Sequence, residues 1–498
     1  TDVHPEVTLG WRAGREAAAH DLYLSTEEQA VADGNVLPVT IAESSYSTPL
    51  DLSTTYYWRI DEVNEAETPA IWPGDVWSLS TREYLVVDDF ESYTDDTDAD
   101  EAIFQSWLDG YEDATNGSLV GYESSSDGTF GERTIVHGSM QSMPLFYSNT
   151  DAALSSETTR TFAEPQNWAK YGIQTLGLWF HGLGGNTGQL YLKINGVRIP
   201  YDQKAANLAI PAWQPWNVDL TTAGVDLENV TSLTIGIDGN GAVGTLYLDD
   251  IRLYAQDRQL ITPTDPGAAS LVAQYQFEGS GDDSVGTNHG TITGEPEYVS
   301  GKDGQALHFK GINNAVQIPP LDYTNDQGEF STTFWFKVKG LEGTARNNNF
   351  PFMLCLGSAA EERVLVHWRT ETLELRTQIQ LTNPDESGSP PPLWQYDIPG
   401  AGLLDGEWHM HAVTSSAVDG CTVYIDGKAA DTNPECKGSM TNLDEPIYLG
   451  SRWDDTRFFG DLDPDSGLLD DVRFYGTVLS PAEVAWLAGW TAPFDEPF

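Results

Sequence analysis

Apolar and polar residues alternate with a period of two through most of this chain, and runs with a helical period are nearly absent. The pattern is clearest in Leu469-Asp470-Asp471-Val472-Arg473-Phe474-Tyr475, a strand in which an acidic pair interrupts the apolar positions. A near copy stands earlier, at Leu248-Asp249-Asp250-Ile251-Arg252-Leu253-Tyr254. A second echo links Thr175-Leu176-Gly177-Leu178-Trp179-Phe180 to Ser331-Thr332-Thr333-Phe334-Trp335-Phe336. Two segments therefore share one plan, an interior aromatic strand and a closing Asp-Asp strand. An unpaired carboxylate is costly to bury, so each pair needs a cation or backbone donors from a neighbouring loop.

Further strands are predicted at Val7–Trp11, His20–Leu24 and Thr55–Ile60, then at Leu190–Ile194 with Asn195-Gly196 as a hairpin turn, Trp216–Leu220 and Leu233–Ile237. Residues 258–269 are rich in Pro and Gly and predict a linker. Leu479–Leu487 predicts the one helix, with Ser480 as cap, Pro481 in the first turn and Glu483 completing a capping box. Short strands at near-regular spacing predict an all-β chain of three tandem β-sandwiches with a short C-terminal helix, bounded at residues 1–84, 85–257 and 270–498.

Three resemblances give these segments names. Leu50-Asp51-Leu52-Ser53-Thr54-Thr55-Tyr56-Tyr57-Trp58-Arg59-Ile60 resembles the tyrosine-corner strand of fibronectin type III domains, with Tyr56 as the corner and Trp11 as the core tryptophan. Such a domain is usually a spacer. The opening Val86-Val87-Asp88-Asp89-Phe90-Glu91-Ser92-Tyr93 and closing Leu248–Tyr254 of the second segment resemble carbohydrate-binding modules of the galactose-binding-like jelly-roll type. That resemblance implies a structural Ca2+ where the first and last strands meet, held by Asp89, Glu91 and Asp250. The third segment resembles the laminin-G-like branch of the concanavalin-like lectin fold. It does so through Phe277–Gly281, Gly304–Phe309, Gly406–His409, Val423–Gly427 and Leu469–Tyr475. Asp283 and Asp471 are its parallel candidates for metal.

Composition narrows the partners. Against 25 Lys+Arg stand 76 Asp+Glu, a formal charge of −51, which repels nucleic acid and anionic membrane. No run of about 18 apolar residues is present to span a bilayer, and no signal peptide follows Thr1. Of three cysteines, Cys421 and Cys436 flank the Tyr424–Gly427 hairpin and predict a disulfide in an oxidising compartment, whereas Cys355 reads as a core thiol. Glu-x-Asp-x-x-Glu, His-Glu-x-x-His and Gly-x-Ser-x-Gly are all absent, so the chain is expected to be non-catalytic.

Sugar rings stack on indole and phenol faces, and three tryptophans stand beside polar partners: Trp368 with Arg369, Trp394 after the Ser389-Pro390-Pro391-Pro392 loop, and Trp453 with Arg452 and Asp454. The acidic loop Asp461-Leu462-Asp463-Pro464-Asp465 reads as solvated. The expectation is a secreted or cell-surface protein that binds carbohydrate or glycoconjugates or mediates adhesion. The alternative is a structural subunit of an extracellular filament, sheath or surface layer. In that case the aromatic tail at residues 490–498 docks on the first domain of the next copy.

Overall fold

A computed structural model describes residues 2–498 apart from 123–128, 139, 312, 342–349, 358–361, 382–392, 401, 441–443, 455–456 and 461–465. The proline loop before Trp394 and the acidic loop at 461–465 therefore lie outside the described residues. The fold is all-β. Residues 1–260 together with Asp495–Phe498 form one compact unit, and residues 261–494 form another.

The first unit begins with a small sandwich, one sheet pairing Glu6–Gly10 with Ser45–Pro49 and the other built around Ala19–Ser25 and Thr55–Val63. The Tyr56 hydroxyl accepts the Asp51 N–H at 3.2 Å, closing the loop five residues upstream. Trp11 is only half-buried and meets His20 edge-on at 5.4 Å; Leu9, Leu22 and Leu50 are buried.

The second sandwich of this unit stacks a six-stranded sheet on a five-stranded one. Its closing strand, Val243–Tyr254, lies between Met143–Ser148 and Thr175–His181, and the opening strand Tyr84–Asp88 pairs with the end of the same strand. Leu176, Leu178, Phe180, Leu246, Leu248 and Ile251 face the core.

The sequence's last four residues complete this unit. The Asp495 carboxylate accepts the Asn217 N–H at 3.0 Å and the Gln203 amide at 2.7 Å, and Arg258 pairs with it. Phe498 stacks on Tyr254 at 4.3 Å. In this structure the end of the tail is thus engaged within its own chain. Trp213–Asp219 is an edge strand whose free N–H needs an acceptor, and Asp495 of the same chain supplies it.

In the second unit an eight-stranded sheet packs on a seven-stranded one. The closing strand Leu468–Tyr475 again runs beside the aromatic strand Phe330–Lys337 and the opening strand Leu271–Tyr275. Cys421 and Cys436 are disulfide-bonded across a Cα separation of 5.4 Å, and Cys355 is buried. The helix Pro481–Leu487 carries the Ser480/Glu483 capping box expected from the sequence. Val484 and Leu479 lie on the outer face of the eight-stranded sheet, against Trp335, Met410, Ala412 and Tyr424.

Candidate functional site

The two Asp-Asp strands are built alike. In each, the second Asp sits in the left-handed region, at φ 49° for Asp250 and 45° for Asp471, where a bulge breaks the register with the aromatic strand. The first Asp then points at a loop. Asp249 accepts the His137 N–H at 2.9 Å, and Asp470 accepts the Lys302 N–H at 2.8 Å and the Asp303 N–H at 3.3 Å. The second Asp pairs with the Arg two residues on, Asp250 with Arg252 at 2.5 Å and Asp471 with Arg473 at 2.7 Å.

The opening strands match as well. Phe90 and Phe277 both have positive φ and are buried, and the Glu after each accepts backbone N–H groups from the same loop. Glu91 takes Met140 and Gln141, both at 2.9 Å, and Glu278 takes Gln305 at 2.9 Å.

The carboxylates expected to hold calcium meet protein partners here. Asp89 accepts the Glu91 N–H, Glu91 Oε1 accepts two loop N–H groups, and Asp250 is flanked by Arg252 and by His137 Nδ1 at 2.8 Å. A guanidinium beside Asp250 opposes a second cation there. Asp283 and Asp471 are both drawn to Gln274, one by its N–H and the other by its side-chain amide, at 3.1 and 2.7 Å. Burial pushes the Asp283 carboxyl up, but N–H donors from Val285, Gly286, Gln274 and Asn288 bring it below the usual range. Among the described residues no three His, Cys, Asp or Glu side chains are grouped to hold a metal.

Asp88, which the sequence reading passed over, is the most heavily used carboxylate of the opening strand. It is buried and accepts Tyr93 Oη and Trp107 Nε1, both at 2.7 Å, and the Phe90 N–H at 3.0 Å, and it pairs with Arg160. Burial raises its carboxyl above the usual range, against the pull of Arg160.

The three tryptophans separate. Trp368 is fully buried: Val364, Val366 and Trp368 share the inward parity of their strand, and Phe336 meets the indole edge-on at 6.1 Å. Arg369 pairs with Glu374 at 2.8 Å. Trp394 is half-buried against the same core. Trp368 therefore offers no ring to a sugar, because strand parity outranks the polar neighbours that suggested it.

Trp453 is placed differently. Along the outer face of the seven-stranded sheet, the register aligns Thr291, Gln317, Tyr448, Cys355, Leu365, Gln378 and Gln395 in one row. Phe352, Cys355 and Leu365 are buried beneath a second layer that includes Phe350, Tyr448 and Trp453. At the edge of that layer Thr293, Gly294, Asn313, Ala315, Gln317, Tyr448 and Trp453 line a cavity of about 300 Å³. Arg452 lies 5.3 Å from the Trp453 ring centre and meets Asp454 at 3.4 Å. Gln317 donates to Tyr448 Oη at 3.4 Å. Gly294 has φ +74°, and a Cβ there would collide with the Asn313 carbonyl and the Asn314 amide. Asn314 is 6% exposed, and its Oδ1 is buried with no hydrogen-bond partner among the described residues.

Residues 310–485 match the Concanavalin A-like lectin/glucanases superfamily. No curated protein matches the chain. Among solved structures, domain 4 of AbnA, a GH43 extracellular arabinanase from Geobacillus stearothermophilus in complex with arabinotriose, is 23% identical. The match covers 44% of this chain and 98% of that one, at a TM-score of 0.31. The receptor binding domain of botulinum neurotoxin C/D mosaic serotype is 13% identical, over 44% of this chain and 51% of that one, at a TM-score of 0.35. The binding domain of Paraclostridial Mosquitocidal Protein 1 is 15% identical, over 44% and 52%, at a TM-score of 0.35. The matches thus span about half the length of each toxin domain.

Proposed function

We propose that this protein binds carbohydrate through the cavity bounded by Trp453 and Tyr448 and does not act on it chemically. The observation that carries this reading is the lining itself. Two aromatic rings stand beside Gln317, Asn313 and Thr293, and the described lining residues are uncharged. Rings take the C–H face of a sugar while amides and a hydroxyl take its hydroxyls. A retaining or inverting glycosidase would instead need two carboxyl groups facing the glycosidic bond. An uncharged lining selects neutral sugars, in keeping with a surface of net charge −51 that repels anionic ones. The match of residues 310–485 to a lectin/glucanase superfamily supports the same class of ligand. We place the protein outside the cell or at its surface, where the Cys421–Cys436 disulfide persists.

Calorimetric titration with soluble neutral polysaccharides tests this. Trp453→Ala is expected to cost on the order of 1–3 kcal/mol of binding, as truncation of a central aromatic does, with the melting temperature unchanged within a few degrees. Equal affinity of W453A and the wild type for every polysaccharide that binds would remove the cavity from the account.

A further inference from the structure

The outer face of the six-stranded sheet in the first unit has an aromatic half that no function above uses. Register sets Trp213, His181 and Tyr247 in one row and Pro215, Trp179 and Asp249 in the next. Trp213 is the hub. His137 meets it at 5.6 Å and 64°, and His181 at 5.5 Å and 69°, while His137 stacks on Trp179 at 3.9 Å and 20°. Trp179, Trp213 and both imidazoles are half-buried rather than covered, and His137 is 27% exposed.

The equivalent face of the second unit shows what is missing. There the strand position matching Trp179 is Trp335, set opposite Asp470 as Trp179 is set opposite Asp249. Lys302 lies over Trp335 at 4.0 Å where His137 lies over Trp179. That face carries Met410, Ala412 and Tyr424, and the helix Pro481–Leu487 buries it with Val484 and Leu479. In the first unit, among the described residues, Phe498 covers the Tyr254 side.

The composition of the open half decides its occupant. Aliphatic helix residues match Met410 and Ala412, but indoles bordered by imidazoles present flat rings with polar edges, the surface a sugar ring requires. Four partly exposed rings make a patch far smaller than the roughly 800 Å² per partner of a stable protein interface.

We propose that Trp213, flanked by His137 and His181 with Trp179 beside them, is a second platform for neutral glycans, separate from the Trp453 cavity. Asp249 and Asp250 are positioning residues for it, because they hold the His137 backbone and imidazole against Trp179.

The test uses the full chain and four soluble probes in turn: arabinan, xylan, mixed-linkage β-glucan and galactan. W453A is expected to retain binding to at least one of them, and W453A/W213A to lose tenfold or more of that remaining affinity. Independently of any folding defect in the double variant, the bound polysaccharide should slow diethylpyrocarbonate modification of His137 and His181 in W453A. Loss of all binding in W453A, equal binding by the single and double variants, or an unchanged modification rate overturns the platform. A wild type and W453A of equal affinity would overturn the cavity instead.

Discussion

The two jelly rolls use one strand plan and finish it differently. Both have the Leu-Asp-Asp closing strand with its bulge, the Arg that pairs with the second Asp, and the Phe-Glu opening that fixes the same loop. They diverge at two places. Beneath the closing strand, Asp88 and Tyr275 occupy equivalent positions, opposite Ile251 and Val472. On the outer face, one unit lays down a helix and the other leaves indoles half-open. What is shared therefore builds the sandwich, and what differs is one buried position and the cover of one outer face.

The first divergence can be broken at its largest effect. Asp88→Ala strands Arg160, Trp107 and Tyr93 without their common acceptor and is expected to cost about 3–5 kcal/mol in the first unit. Tyr275→Phe removes only a hydroxyl that donates to the Asn288 carbonyl at 2.6 Å, so about 1 kcal/mol is expected in the second. Urea unfolding of each variant measures both; equal losses would contradict the difference drawn between a buried charge and a buried ring.

The second divergence predicts an unequal response to damage at the outer faces. Val484→Asp puts a carboxylate under the helix and should destabilise the second unit by about 3 kcal/mol, whereas Trp213→Ala should cost the first unit nearer 1 kcal/mol. Should W213A prove as damaging as V484D, the indole is a core residue rather than a ligand platform.

A smaller effect concerns the first aspartate of the second unit's pair. Burial pushes the Asp470 carboxyl up to about 6, ahead of the acceptance of the Asp303 and Lys302 N–H groups that pulls it down. Its folded value lies above the unfolded one, so the fold binds the extra proton and stability from this group is lost as pH rises from about 4 to 6. Lowering pH across that window should thus favour the wild type over Asp470→Asn by about 1–3 kcal/mol. His367 and His411 are held at about 4 and about 3 by burial and oppose this trend, but they are common to both proteins and cancel in the difference. A gap independent of pH would mean that Asp470 is not strained by burial.

Strand alternation and turn residues were enough to read the all-β class, the helix cap, the disulfide and the repeated closing strand. The bulge was not readable, since nothing in Leu-Asp-Asp-Ile marks the second Asp for positive φ, and without it the pair looks like a metal site. The Phe90-Glu91 and Phe277-Glu278 match was present in the sequence at fixed distance from each opening strand, and aligning the two segments would have exposed it. Trp368 misled because its polar neighbours were weighed above the inward parity of Val364 and Val366. Trp213 was missed because Pro215 stands beside it in Trp213-Gln214-Pro215-Trp216, and its outward parity appears only through pairing with His181.

The account holds that aromatic rings bind sugar and that the Asp-Asp carboxylates hold loops. Calorimetric titration of the wild type and W453A with a binding neutral polysaccharide, in buffer containing EDTA, tests both halves at once. The predicted result is full wild-type affinity in EDTA and a roughly 5- to 150-fold weaker W453A, equivalent to about 1–3 kcal/mol. Binding that vanishes in EDTA, returns with calcium and ignores W453A would contradict it.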